Sequence, residues 1–278
     1  MKQKLFLFTT LLLAAGCAPA SSPTDADPAT SVLPSLAASS ATPEVTETDS
    51  AVPAEIEAEN LVTFDEMGIA VGFDYPDGFS QGVSTSVVGV YGPNAPFELP
   101  YPAHARILFT AYTNGSEDIT AAGIRVFRID EINALQAGVV ENLSAVREGQ
   151  ADHHNDFPRL AGAGNVIDAQ LSPVDFKNGT GYRFLLTKSF SADPLLSTGM
   201  TYMYQGVTED EKYFLSFLIS VDAPFLAPYL NQPLTTVEEF ESFYSNVNTL
   251  IDTSAPDQFT PPLDILDELV SSIVISEK

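Results

Sequence analysis

One nine-residue run constrains the fold more than any other stretch. Tyr213 to Val221 reads Tyr-Phe-Leu-Ser-Phe-Leu-Ile-Ser-Val. A strand sends alternate side chains to opposite faces of its sheet. Here Tyr213, Leu215, Phe217 and Ile219 make one face apolar, and Phe214 and Leu218 make the other apolar too. A strand that is apolar at both parities must be covered on both sides. The run therefore predicts an interior strand in a sheet with helices packed on each face.

The neighbouring segments supply the rest of that sheet. Met200–Val207 pairs with Lys212–Val221 around Glu209-Asp210-Glu211, and Asn165–Phe176 pairs with Thr180–Phe190 around Asn178-Gly179, a tight-turn signal. Upstream, Ile69, Val71, Phe73 and Tyr75 alternate with Ala70, Gly72 and Asp74, the pattern of a half-buried strand, before Pro76-Asp77-Gly78 turns the chain. Val83–Tyr91, Arg106–Thr113 and Ile124–Ile129 read as further strands. Three helices follow from 3.6-type spacing. The first runs from Asp130 to Gly149 and carries Ile132, Leu135, Val139, Leu143 and Val146 on one face. The second opens on a Thr236/Glu239 capping box and carries Phe240, Tyr244, Val247 and Leu250. The third opens at Thr260-Pro261 and carries Leu263, Leu266, Leu269, Val270 and Ile273. Strands joined by hairpins pair antiparallel. The expected fold is α/β of the α+β type: one domain over residues 61–278, a mainly antiparallel sheet sandwiched by about three helices.

Residues 1–60 have a different character. Lys2 and Lys4 precede an apolar run from Leu5 to Leu13, then small residues and Cys17, the only cysteine. That order marks an export signal over residues 1–16, and the apolar run is too short to span a bilayer. Leu13 to Cys17 resembles the lipobox of bacterial lipoproteins, in which the cysteine becomes the acylated first residue. Ala14 stands where that motif more usually has a bulky aliphatic. The resemblance implies lipidation of Cys17 and a place on the extracytoplasmic face of the cell membrane. Ala18 is not the aspartate of inner-membrane retention, which leaves an outer-membrane destination open in a diderm cell. With no second cysteine, no disulfide forms within the chain.

From Ala18 to Asn60 the chain is rich in Pro, Ser, Thr and Ala, has acids but no bases, and contains no aromatic residue. Such a segment cannot bury enough apolar surface to offset chain entropy. Residues 17–60 therefore read as a spacer with an r.m.s. reach of roughly 35–40 Å. Cleavage before Cys17 takes the formal charge from −25 to −27, because Lys2 and Lys4 leave. No Lys or Arg lies between Lys4 and Arg106. A surface this acidic repels phosphate backbones, so nucleic acid is not an expected partner.

Two further resemblances concern the domain. Gly68–Phe79, "GIAVGFDYPDGF", followed by strands, a helix and a sheet meander, is similar to PsbP-like domains, in which an antiparallel sheet lies between helices. Phe79 stands where that family usually has Trp. "DFKNGTGYRFL" (Asp175–Leu185), "YQGVTEDEKYF" (Tyr204–Phe214) and "LDELVSSI" (Leu266–Ile273) resemble a group of uncharacterised bacterial lipoproteins with the same signal, spacer and domain order. That resemblance implies no activity. On their own, Asn178-Gly179 makes a turn, Arg183 reads as an outward strand residue, and Gly206 with Thr208 ends a strand.

Catalytic motifs are sparse. No nucleophile elbow, His-Glu-x-x-His, phosphate-binding loop or EF-hand spacing occurs. The histidines are His104, His153 and His154. Asp152, His153, His154 and Asp156 put two imidazoles and two carboxylates within five residues, a donor set suited to a zinc-like ion. They follow a helix end, where adjacent imidazoles diverge, so the sequence favours a solvated loop over a metal site. Sequons at Asn114, Asn142 and Asn178 read as turn and helix residues. The resulting expectation is a monomeric, lipid-anchored envelope module without cofactor, metal or catalytic residues, tethered through Cys17 and working by contact with an envelope protein. The alternative is an envelope hydrolase using carboxylates or the His/Asp cluster.

Overall fold

The computed structural model describes residues 58–92, 100–112, 121–150, 157–158, 164–191 and 193–278, all of which lie in the unit Pro53–Lys278. Cys17, residues 1–57 and the Asp152–Asp156 cluster lie outside the described residues.

The described chain opens with the hairpin β1 (Asn60–Phe64) and β2 (Ile69–Phe73). Gly68 closes its turn at φ 66°, a left-handed conformation that costs glycine nothing. Then come β3 (Val83–Val88), β4 (His104–Phe109) and β5 (Gly123–Arg128). Helices α1 (Ile129–Leu135) and α2 (Val139–Arg147) lead to β6 (Gly164–Pro173), β7 (Gly179–Ser189), β8 (Gly199–Thr208) and β9 (Tyr213–Asp222). Helix α3 (Val237–Asp252), helix α4 (Leu263–Ser272) and β10 (Val274–Glu277) complete the order, with short 3-10 turns at Pro224–Tyr229 and Pro256–Gln258.

The strands form two antiparallel sheets. Seven strands run in the order β3-β4-β5-β9-β8-β7-β6, and three run in the order β1-β2-β10. The apolar run that begins at Tyr213 is β9, fourth from either edge and so at the centre of the larger sheet. Both of its faces are covered. Tyr213, Leu215, Phe217 and Ile219 pack in a core with Phe243, Val247 and Ile251 of α3, Leu263, Leu266 and Leu269 of α4, and Ile69, Val71 and Phe73 of β2. Phe214 and Leu218 pack in a second core with Ile132 of α1, Leu143 and Val146 of α2, and the rings of Tyr101 and Phe157. The fold is thus α+β with antiparallel sheets, but the first face is covered by a small sheet as well as by helices. β2 is buried along its whole length rather than half-buried, because it is the middle strand of that cover.

Three helix expectations change. The Asp130–Gly149 helix is broken into α1 and α2, which brings the described α-helices to four. Gly138 sits at φ 92° as the residue before α2, and Gln136 leaves helical geometry while its amide donates to the Pro100 carbonyl at 2.7 Å. The helix starts at Ile129 rather than Asp130, with Arg128 at the cap position, and Asp130 accepts from the Glu131 amide inside the first turn. The last helix begins at Leu263, not at Thr260. Thr260 instead exchanges two backbone hydrogen bonds with Asp222, at 2.8 and 2.9 Å, and so ties the approach of α4 to the end of β9. The capping box of α3 forms as read, with the Glu239 amide donating to the Thr236 hydroxyl at 3.1 Å. The buried stripe is Phe243, Tyr244, Val247 and Ile251, rotated slightly from the predicted one. No helix among the described residues is long and apolar enough to cross a membrane.

Candidate functional site

The three stretches "DFKNGTGYRFL", "YQGVTEDEKYF" and "LDELVSSI" are distant in sequence and meet in space. They build a buried polar centre under α4. Arg183 comes from β7, Tyr202 and Tyr204 from β8, and Asp267 from α4. The Arg183 guanidinium lies 3.4 Å from the Asp267 carboxylate, with their side chains 6% and 28% exposed. The Tyr202 hydroxyl donates to the same carboxylate oxygen at 2.7 Å. Arg183 also donates to the Gln170 backbone carbonyl and, at 3.0 Å, to the Gln170 side-chain oxygen. Gln170 in turn donates from its amide nitrogen to carbonyls at the end of α3, Ile251 at 2.7 Å and Ser254 at 3.0 Å. One chain of polar contacts, charged at the Asp267–Arg183 end and neutral beyond Gln170, therefore runs from α4 through the sheet to α3.

Arg183 is not an outward residue. Tyr182, Phe184 and Leu186 face the second core, and Leu185 faces the first, so β7 has no solvent face to offer. Only a partial sign of this lies in the sequence: Leu185 is apolar on the parity of Gly181 and Arg183, while Tyr182, Phe184 and Leu186 make the other parity apolar. Tyr204 crosses to the Val174 carbonyl, to which its hydroxyl donates at 3.1 Å. Gly181 and Gly206 leave room for that phenol, since a Cβ at either position would collide with it. Asn178 does more than turn the chain. Its amide donates to the Ile275 carbonyl at 2.6 Å and accepts from the Ile275 amide at 3.1 Å, which fastens β10 to the turn before β7.

Burial sets the protonation of this centre. It raises the Asp267 carboxyl above the ordinary carboxylate value, although the Arg183 charge and the Tyr202 hydrogen bond pull the other way. It raises the Tyr202 and Tyr204 phenols well above the usual tyrosine value, with nearby carboxylate charge adding to the effect. Both phenols stay neutral donors at physiological pH. The chemistry available is the holding together of layers: a carboxylate whose lone pairs are occupied by a guanidinium and a phenol.

A second polar row crosses the opposite face. Register places Arg106 beside Arg125, Arg125 beside Ser216, Ser216 beside Gln205, and Gln205 beside Tyr182. Its centre is organised by Phe157. The Phe157 carbonyl accepts from Gln205 Nε2 at 3.2 Å and from Ser216 Oγ at 3.0 Å, and its ring packs 4.9 Å from Phe127 and 5.5 Å from Phe214. Sequence reading did not single out Phe157, because a lone aromatic in "NDFPRL" has no periodic partner. Arg125 is wholly buried and donates to the Ala121 and Gly123 carbonyls at 2.6 and 3.2 Å. His104, 1% exposed, has Nδ1 3.1 Å from the Pro102 carbonyl and its ring 4.6 Å from that of Phe127. Its Nε2 is buried without a hydrogen-bond partner. Burial, together with the Arg125 and Arg106 charges, lowers the His104 pKa to about 4. A buried histidine that stays neutral is a packing group with one polar tether.

Of the residues that the sequence marked for metal, Asp152, His153, His154 and Asp156, none is described, and the chain that follows them is fixed at Phe157. Among the described residues no group of three His, Cys, Asp or Glu side chains gathers around a possible ion position. No family model, no curated protein and no solved structure matches the chain.

Proposed function

We propose that the chain is a lipid-anchored protein on the extracytoplasmic side of the cell membrane, and that its α+β domain binds or supports an envelope partner without turning over a substrate. The observation that carries this reading is how the interior spends its charge. Arg183, Asp267 and Tyr202 are engaged with one another and with Gln170, and so tie α3 and α4 to the sheet. Groups committed in this way stiffen a scaffold, and scaffolds present surfaces. The sequence supports the same reading. An acylated Cys17 followed by a long uncharged-to-acidic spacer is a positioning device, and the Gly68–Phe79 resemblance is to a domain type found in extrinsic subunits that steady membrane complexes.

Two measurements test it. Cys17→Ser is expected to move the protein from the membrane to the soluble fraction, and a membrane-bound variant at wild-type level would refute the anchor. Affinity capture of the lipidated full chain is expected to return one recurrent membrane-complex partner. Turnover of a wall or glycan substrate, lost on changing Asp152, His153 and His154, would replace this reading with the hydrolase.

A further inference from the structure

The ends of the sheets are treated differently. At β6 the outward backbone groups are taken up by α3 side chains. Asn248 accepts from the Asp168 amide at 2.9 Å and donates to the Val166 carbonyl at 3.3 Å, and Asp252 accepts from the Gln170 amide at 2.5 Å. β6 is also bulged and ends in Pro173, two further obstacles to strand addition. At β10 the Asn178 side chain bonds both backbone groups of Ile275.

β3 has none of these protections. It pairs with β4 in an unbroken register from Val83 opposite Phe109 to Val88 opposite His104, and no described strand is hydrogen-bonded to its other edge, although β1 packs nearby, with Val62 against the same core as Val83 and Val87. The Thr110 amide donates to the Gly82 carbonyl, which makes Gly82 and Thr110 a hydrogen-bonded pair of that ladder. Alternation then turns the amides and carbonyls of Val83, Thr85 and Val87 outward. Ser84 and Thr85 are exposed, and Val83 and Val87 are only partly buried at the rim of the larger core. The strand carries no charge and no proline in a chain of net charge −25.

Its sequence is also self-complementary. Val83-Ser84-Thr85-Ser86-Val87 reads the same in both directions about Thr85. We propose that β3 is a homodimer edge: two copies pair their Val83–Val88 strands antiparallel about a twofold axis through Thr85, which joins the two seven-stranded sheets into one. In that register Val83 meets Val87 of the second copy, and Thr85 meets its own equivalent. These are the residues whose backbone groups point outward, so the hydrogen-bonding parity and the side-chain palindrome agree. Like meets like without a charge opposite a charge, and hydroxyl–hydroxyl and β-branched pairs are favourable across strands. Val83 and Val87, half-covered in one copy, gain cover from the second. The symmetric contact closes at two copies, as a twofold interface must. It goes beyond the proposed function, because it holds whatever the module binds, and it replaces the monomer expected from sequence.

The contact is small, at the low end of specific interfaces, so association is expected on the order of 10–100 µM. It meets long-range repulsion between two polyanions and therefore strengthens with salt, the reverse of an ion-paired interface. The test is sedimentation equilibrium of the full chain carrying Cys17→Ser, at rising protein and salt concentration. A monomer–dimer equilibrium that tightens with salt and is weakened at least tenfold by Thr85→Lys supports the proposal. Far-UV circular dichroism checks that this exposed substitution leaves the fold intact. In the same Cys17→Ser background, Thr85→Cys is expected to form a disulfide dimer on mild oxidation. Ser84→Cys is not, because its equivalents lie diagonally, beyond disulfide reach. A chain that stays monomeric to about 1 mM in high salt, association untouched by Thr85→Lys, or equal crosslinking from both positions would each overturn it. A foreign strand added at β3 would show as the first of these outcomes.

Discussion

Asp267→Ala removes one carboxylate and strands two buried donors. Arg183, its side chain 6% exposed, would keep only the Gln170 oxygens, and the Tyr202 hydroxyl would lose its acceptor. Breaking a buried ion pair from one side costs about 3–5 kcal/mol, and a buried hydroxyl left without a partner costs about 1–3 kcal/mol. These do not add, since one group serves both. Asp267 is itself 28% exposed, so water can reach part of the vacated space. The lower end, about 3 kcal/mol, is therefore expected, a large part of an ordinary domain stability of about 5–15 kcal/mol. The control is to remove both charges. Arg183→Met with Asp267→Leu leaves no unpaired ion and is expected to recover most of the loss, because apolar residues of similar size replace buried pairs at little cost. Tyr202→Phe alone removes a single hydrogen bond and is expected to cost about 1 kcal/mol. Urea unfolding of the full chain, followed by tyrosine fluorescence and far-UV circular dichroism because the sequence has no Trp, reads all four proteins. A loss below about 1 kcal/mol for Asp267→Ala, or a double variant no more stable than Asp267→Ala, would refute the reasoning.

Two further predictions follow from the same interior. His104 has a folded pKa of about 4 against an ordinary 6.5, so the unfolded chain takes up its proton first as pH falls. Stability is then fully present above pH 6.5 and falls by about 3 kcal/mol between pH 6.5 and pH 4, at about 1.4 kcal/mol for each pKa unit. Urea midpoints measured across that window should flatten in His104→Phe, and an unchanged slope would contradict the assignment. Gly181→Ala is expected to destabilise by about 2 kcal/mol or more, because its Cβ would collide with the Tyr204 phenol and the Gln205 carbonyl. A thermal melt at or above wild type would show that Tyr204 can move aside.

Local signals in the sequence carried the elements they specify. The β7 turn is written in Asn178-Gly179, the start of α3 in Thr236 and Glu239, and the centrality of β9 in a run that is apolar at both parities. Signals that depend on distant partners were not legible. β10 is short, and its pairing with β2 joins residues separated by most of the domain, with no turn between them to announce it. The break between α1 and α2 hangs on Gly138 and on the Gln136 contact with Pro100, a residue outside the helix. Arg183 was misread because charge on a strand usually marks a solvated side. Its acceptor, Asp267, lies far along the chain in a helix whose own pattern is explained by leucines. Phe157 and His104 owe their roles to the second core, which draws on both halves of the domain.

The functional account rests first on Cys17. The most direct test is the intact mass of the mature protein extracted from membranes of the producing cell. The account predicts a chain beginning at Cys17 and heavier than its polypeptide by a diacylglyceryl group, with or without a further acyl chain. A mature chain that begins elsewhere, or begins at Cys17 with no lipid mass, would contradict it.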